Sequence, residues 1–379
     1  MRLVTLRWTL ALTILATSAS AVAIIRRHDR EDGKYLELGS KYPAVVRLGG
    51  GTATLVDPCW LLTAGHVTAG LSPFDRFVEI GGKRYAIEGV VRHPKWLARS
   101  GPKSVDIGLV KLTTAVAGVE PVALYEQDDE AGKPVVFVGP GEYGDGLSGP
   151  VGDDGRWRGA TNTVASVLDN WITFKFDSPP NGSELEGISG PGDSGGPALL
   201  EADGRTHVIG VSSANDDAGA AGPCRYESTE YYARVSAVAA WIRDTIRDGV
   251  ATREPARATG NVRSGKWPAN AAGRVAEAFF AAYARGDDET MAAFERECRA
   301  ESALRSRPVE ERVESWRRLH QDWGKLEPTE YVETADGRLH VLVHAEREGV
   351  WKSFRFDLEA SPPQKLIGIG ISSPTLIGE

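Results

Sequence analysis

Ser194 stands in the run Gly190-Pro191-Gly192-Asp193-Ser194-Gly195-Gly196-Pro197, where glycines, prolines and one acid surround a single hydroxyl. Glycine costs backbone entropy and proline removes a hydrogen-bond donor, so neither a helix nor a central strand would select this composition. A tight loop would, because glycine admits positive φ and lets another molecule approach the main chain. In such a loop the N–H groups of Gly192 and Ser194 can converge on one point, as needed to hold a developing oxyanion in acyl transfer. The bland alternative is a Gly/Pro surface turn that happens to contain a serine. A serine hydroxyl becomes a nucleophile only when a base takes its proton. The chain offers His66 in Leu61-Leu62-Thr63-Ala64-Gly65-His66-Val67, a strand end running into a small-residue turn. Histidine's ordinary pKa suits that task near neutrality. Its other ring nitrogen needs an acceptor that fixes the tautomer, and Asp106, at the head of the apolar run 105–112, is the candidate.

All three fall at strand–loop junctions of one region. Short apolar runs rich in Val, Ile, Tyr and Phe occur at 44–48, 52–56, 61–62, 77–80, 85–91, 107–112 and 135–138. More follow at 171–176, 198–200, 208–211 and 231–235, with Gly, Pro, Asp or Asn separating most of them. This pattern predicts an all-β sandwich or a pair of barrels. Val238, Trp241, Ile242 and Ile246 at helical spacing predict a closing helix over 235–247, with Gly249 as its stop. Residues 250–267 are polar, aperiodic and interrupted by Pro and Gly, and read as a linker. Beyond it the pattern changes to three helices, beginning at Pro268, Asp287 and Pro308, then strands at 326–334, 338–346, 350–358 and 365–372. An Asp336-Gly337 turn joins the first two strands. The expected architecture is multidomain: an all-β unit over 24–249, then a small α+β domain of helices and β-meander over 268–379.

The chain has 379 residues, 41% hydrophobic and 25% charged, which is a globular composition. A formal net charge of −8 offers no electrostatic footprint for nucleic acid or an anionic membrane. Arg2 and Arg7, an apolar run to Val22 and the Ala21-Val22-Ala23 site describe a secretory signal peptide over 1–23. The chain is therefore expected to be secreted or periplasmic, with no membrane attachment after cleavage and Ile24-Ile25 at its new start. Cys59, Cys224 and Cys298 allow at most one disulfide. No C-x-x-C or H-E-x-x-H run occurs, so the residues imply neither metal nor cofactor. Gly139-Pro140-Gly141-Glu142-Tyr143-Gly144 matches a dinucleotide fingerprint by letters, but the glycines and proline of 145–150 exclude the helix that would bind a pyrophosphate.

The His66, Asp106 and Ser194 segments, in that chain order, resemble the corresponding motifs of the trypsin/chymotrypsin-like serine proteases. The likeness extends over about 24–247 and includes Val91-Arg92-His93-Pro94-Lys95-Trp96 and Ile209-Gly210-Val211-Ser212-Ser213. It implies a double six-stranded antiparallel barrel and a serine endopeptidase acting on a protein or peptide. Ser194 would be the nucleophile, His66 the general base and acid, and Asp106 the orienting carboxylate; Gly192 and Ser194 would supply the oxyanion N–H groups. Asp193 would pair with the α-amino group of a processed Ile24. The implied substrate pocket involves Ile188, Ser189, Ser213 and Glu230. Ile188 stands where trypsin-like enzymes carry an aspartate for Lys or Arg, and Val67 replaces the family's usual cysteine. Glu230 reads either as an acid on the opposite pocket wall or as an exposed loop glutamate, the blander of the two. The C-terminal region resembles nuclear-transport-factor-like and cystatin-like domains and is a candidate site for a protein partner. A catalytically idle binding protein and an esterase using the same triad are the alternative functions.

Overall fold

The computed structural model describes residues 24–97, 104–217, 220–251 and 259–374. The expected signal peptide lies outside them. Six strands form the first sheet in the order Val45–Leu48, Gly51–Asp57, Trp60–Thr63, Gly108–Leu112, Lys83–Arg92 and Phe77–Ile80. The second runs Pro197–Ala202, Pro134–Gly139, Arg158–Val167, Trp171–Lys175, Thr229–Arg234 and Arg205–Asp216, and pairing of its first and last strands closes a barrel. Ala123–Leu124 adds a parallel strand at its side.

Strands buried on the inner face read as near-continuous apolar runs; Leu55, Leu61, Leu62, Leu109 and Val110 are all fully buried. Their cluster continues through Val138, Leu199 and Val211 of the second barrel, so one core spans the seam. The expected closing helix is a 3₁₀ turn, Ser236–Val238, then an α-helix, Ala239–Asp248. It buries Val238 and Ile242 in that core and ends at Gly249, whose φ of +69° forms a left-handed cap.

The charged stretch after residue 23 is more ordered than its composition suggests. Ile24–Arg26 pairs in parallel with Tyr143–Asp145 and antiparallel with Gly187–Ile188, and Asp32–Gly39 is a helix. Arg158, fully buried, grips that helix through two bonds to the Asp32 carboxylate at 2.8 and 3.0 Å and reaches Asp154 at 3.2 Å.

The expected linker is partly structured. Gly260–Asn261 pairs with Glu330–Tyr331, and Val262 enters the C-terminal core, so the C-terminal unit begins before residue 268. Backbone pairing to an edge strand needs no apolar periodicity, which is why composition hid it. The helices are Ala271–Arg285, Asp288–Cys298, Glu301–Ser306 and Val309–Trp323, one more than expected. Asn270 and Asp287 cap two of them through bonds to Gly273 N and Thr290 N. The strands Leu326–Glu333, Leu339–Ala345, Val350–Leu358 and Leu366–Ser372 follow as a meander, beside Gly260–Asn261. Alternation decides the faces: Leu339, Val341, Val343, Phe354 and Phe356 meet Phe279 and Phe280 of the helices. Leu342 and Val332 belong to a separate cluster on Phe74 of the first barrel.

Removing one member of a buried ion pair costs about 3–5 kcal/mol when its partner is left unpaired. Arg26 and Arg156 remain 3.9 and 4.0 Å from Asp32 and Asp154, so Arg158→Ala is expected to destabilise the N-terminal unit by up to about that amount, read by urea unfolding; a midpoint unchanged from wild type contradicts it.

Candidate active site

Antiparallel pairing brings His66 to Asp106. Thr63, the last residue of Trp60–Thr63, is opposite Gly108, the first of Gly108–Leu112. The chain leaving one strand therefore lies beside the chain entering the other, and the residues just beyond meet. His66 sits in the first turn of a short helix, Gly65–Gly70, packed so closely that a Cβ on Gly108 would lie 2.7 Å from Thr68 Cγ2. Asp106 Oδ1 accepts from His66 N at 2.9 Å, and Oδ2 is 2.6 Å from Nδ1. The second barrel supplies a third donor: Ser213 Oγ donates to Oδ2 at 2.6 Å. Ser213 falls in a register shift between Ser212 and Ala214, the kind of bulge that re-aims a side chain. Burial alone would push the Asp106 carboxyl up; the hydrogen bonds from His66 and Ser213 outweigh it and hold the group below the ordinary range. The arrangement keeps an anion on Nδ1 and leaves the opposite ring nitrogen to take a proton.

The serine loop is pinned to both barrels. Thr52 N donates to Ser194 O at 2.8 Å and Thr52 Oγ1 to Gly192 O at 3.1 Å. Gly195 N donates to Ser212 O at 2.9 Å, and Gly195, at φ +83°, leaves no room for a Cβ, which would sit 2.2 Å from Thr63 Oγ1. Two peptide planes set the donors. Pro191 O accepts from Glu142 N at 2.5 Å and Asp193 O from Gly196 N at 2.8 Å. In a trans peptide the N–H points opposite its carbonyl, so the Gly192 and Ser194 N–H groups turn away from those acceptors. Neither is committed to an acceptor among the described residues, whereas Asp193 N donates to Gly190 O. Ser194 itself is half-buried, and its hydroxyl has no hydrogen bond to His66 among the described residues. Such bonds often tighten only when substrate is bound.

Asp193 points the other way. Its carboxylate is fully buried and accepts from Gly141 N at 2.7 Å and Gly190 N at 2.9 Å. Burial pushes it up to about 7. The Gly139–Gly144 run, meaningless as a nucleotide motif, is the cradle: Cβ atoms on Gly139 and Gly141 would lie 2.0 and 2.7 Å from Asp193 Oδ1. A strand, Tyr143–Asp145, follows it in place of a helix. Ile24 is fully buried and pairs with Tyr143 of the same run.

Of the pocket candidates, Ser189 and Glu230 meet through a hydrogen bond, while Ser213 and Ile188 are engaged elsewhere. Ser213 serves Asp106. Ile188 is fully buried with Ile25, Phe176, Cys224 and Tyr226 beneath the N-terminal strand. Glu230 is not an exposed loop residue: it lies in Thr229–Arg234, 1% exposed, and accepts from Ser189 N at 3.1 Å. A strand at a barrel wall conceals every second side chain, which the loose sequence context did not convey. Burial, with the nearby Asp193 carboxylate adding to it, pushes the Glu230 carboxyl well up. Ser189 Oγ is 2.5 Å from Tyr232 OH, fixing the same wall. Among the described residues, no three His, Cys, Asp or Glu side chains are grouped to hold a metal, and Cys59, Cys224 and Cys298 are free thiols.

A carboxyl raised in the folded state binds a proton that the unfolded chain releases near pH 4, so its contribution to stability falls as pH rises from about 4 to about 7. With Ile24 still joined to the preceding residue, wild type is expected to lose stability relative to Asp193→Asn across that window in paired urea titrations. A constant difference from pH 4 to 8 contradicts it.

The family model described as Trypsin matches residues 33–242, more than half of the chain, covering both barrels and the closing helix's start. The chain is 29% identical over 231 residues to Serine protease SP24D of Anopheles gambiae, with 55% of this chain and 78% of that protein covered. With this match, two barrels joined by a core cluster across their seam place a histidine, a buried aspartate and a Gly-Asp-Ser-Gly-Gly loop there, and the chain belongs to the trypsin family.

Proposed function

We propose that this chain is an exported serine endopeptidase that cleaves peptide bonds through an acyl-enzyme. The observation that carries the reading is Asp106, a buried carboxylate holding His66 through both Nδ1 and the backbone N–H, beside a serine loop with two uncommitted N–H groups. His66 takes the proton of Ser194 Oγ as that oxygen attacks the scissile carbonyl, then gives it to the leaving amine. Asp106 stabilises the imidazolium, and the Gly192 and Ser194 N–H groups hold the oxyanion. Water then resolves the acyl-enzyme by the same path reversed. An idle binding protein would need none of this alignment.

Residues 1–23 act as signal peptide, 24–249 as the catalytic unit and 268–379 as an accessory domain of nuclear-transport-factor-like or cystatin-like type, joined through the segment between. No helix among the described residues is long and apolar enough to cross a membrane. Among the described residues Asp193 has no ion-pair partner, and an α-amino group released at Ile24 would supply one. Ile24 has a φ of +62°, a costly conformation for a β-branched residue that a free amine no longer has to adopt. Burial favours the neutral form of the Glu230 carboxyl in the free chain; a basic side chain before the scissile bond would favour the charged form, and Glu230 is the acid proposed for that pocket.

Ser194→Ala is expected to abolish peptide turnover and fluorophosphonate labelling with an unchanged circular dichroism spectrum; retained hydrolysis refutes the mechanism. Digestion of a peptide library separates endopeptidase from esterase. In the same digest, Glu230→Gln is expected to lower cleavage after Lys and Arg by about tenfold or more against apolar residues. An unchanged profile removes Glu230 from the pocket.

A further inference from the structure

The loop between the His66 helix and the next strand is buried where a surface loop would be exposed. Ser72, Pro73, Phe74 and Asp75 are all buried, Phe74 to 1%. Its conformation is locked from within: Ser72 N donates to Asp75 Oδ2 at 2.6 Å, Phe74 N to Ser72 Oγ at 3.1 Å and Asp75 N to Ser72 O at 3.0 Å. The C-terminal domain covers it. Phe74 packs with Val332 and Leu342, with Trp351 beside them, and Ser72 Oγ is 2.6 Å from Ser353 Oγ in a buried contact. These partners lie on the sheet face opposite the C-terminal helices, since Val341, Phe354 and Phe356, their neighbours in alternation, face the helices. The accessory domain therefore uses one sheet face for its own core and the other to hold this loop.

The loop has two routes to the proposed active site. It continues directly from the helix Gly65–Gly70, which carries His66 in its first turn. It also abuts the hairpin turn at Gly49, where a Cβ would lie 2.9 Å from Leu71 Cδ2 and 3.2 Å from Asp75 Oδ2. Two residues on, a Cβ on Gly51 would lie 2.8 Å from Ser194 O, and Thr52 N bonds that same carbonyl. One route ends on the base, the other on the nucleophile loop.

We infer that the C-terminal domain positions the acyl-transfer site through Phe74, bracing the His66 helix and the Ser194 loop against each other. The inference rests on the proposed roles of His66 and Ser194. Phe74 touches neither the substrate nor the reacting atoms; it is a positioning residue. Displacements of about 1 Å in such a site cost up to about a hundredfold in rate, so loss of the brace lowers turnover more than substrate affinity.

The test uses the full chain. Phe74→Ala, from one side of the contact, and Leu342→Ala, from the other, are compared with Phe74→Leu and with Val341→Ala. The last removes a buried side chain from the same strand as Leu342 but from the face turned to the helices. The readouts are the fluorophosphonate labelling rate at Ser194, kcat and KM on a peptide substrate, and Tm. Phe74→Ala and Leu342→Ala are expected to lower labelling and kcat about tenfold or more with KM within about twofold. Phe74→Leu recovers most of the loss, and Val341→Ala labels at the wild-type rate although its Tm falls. Wild-type labelling in folded Phe74→Ala and Leu342→Ala overturns the inference, as does an equal loss of labelling in Val341→Ala. If the wild-type chain itself is not labelled, the nucleophile reading fails first, which is a separate result.

Discussion

One carboxylate ties the two barrels together at their working seam. Asp106 accepts two bonds from His66 in the first barrel and one from Ser213 in the second. A buried anion is costly unless its lone pairs are filled, so the side chain tolerates burial only while both barrels are in register. The same seam carries Thr52, a first-barrel residue whose backbone and hydroxyl bond the serine loop of the second. Position in this site is therefore a property of the interface and of neither barrel alone.

Glycine does much of the remaining work, and at particular places. Gly195 lets the loop lie on Thr63 and Ala64, while Gly139 and Gly141 open the space that Asp193 fills. Each glycine removes a Cβ where two backbones, or a backbone and a carboxylate, come closer than side chains permit. The loop can thus turn Ser194 outward and Asp193 inward from consecutive residues.

Much of this was legible in the sequence because it depends on local chemistry. The Gly-Asp-Ser-Gly-Gly-Pro run, the small-residue turn at His66 and the acid heading an apolar strand each state their own geometry, and the C-terminal meander follows from alternation and an Asp-Gly turn. What was not legible depends on partners distant in sequence. Ser213 meets Asp106 only through a bulge in a strand that belongs to the other barrel. Glu230 looks like a loop residue until Trp171–Lys175 and Arg205–Asp216 flank its strand. Gly139–Gly144 acquires a purpose only when Asp193 arrives from far along the chain. Phe74, in a polar-flanked loop, gives no sign that a sheet formed by the last part of the chain will cover it.

The division of the site between barrels also bears on the order in which the chain is made. His66 and Asp106 both come from the first barrel, but the Ser194 loop and the strand that carries Ser213 are synthesised later, and Phe74 waits for the sheet beyond residue 325. A partly synthesised chain has the imidazole and its carboxylate without the serine. The topology thus brings the proposed base and the proposed nucleophile together only late, and a chain made no further than its first barrel holds neither Ser194 nor Ser213.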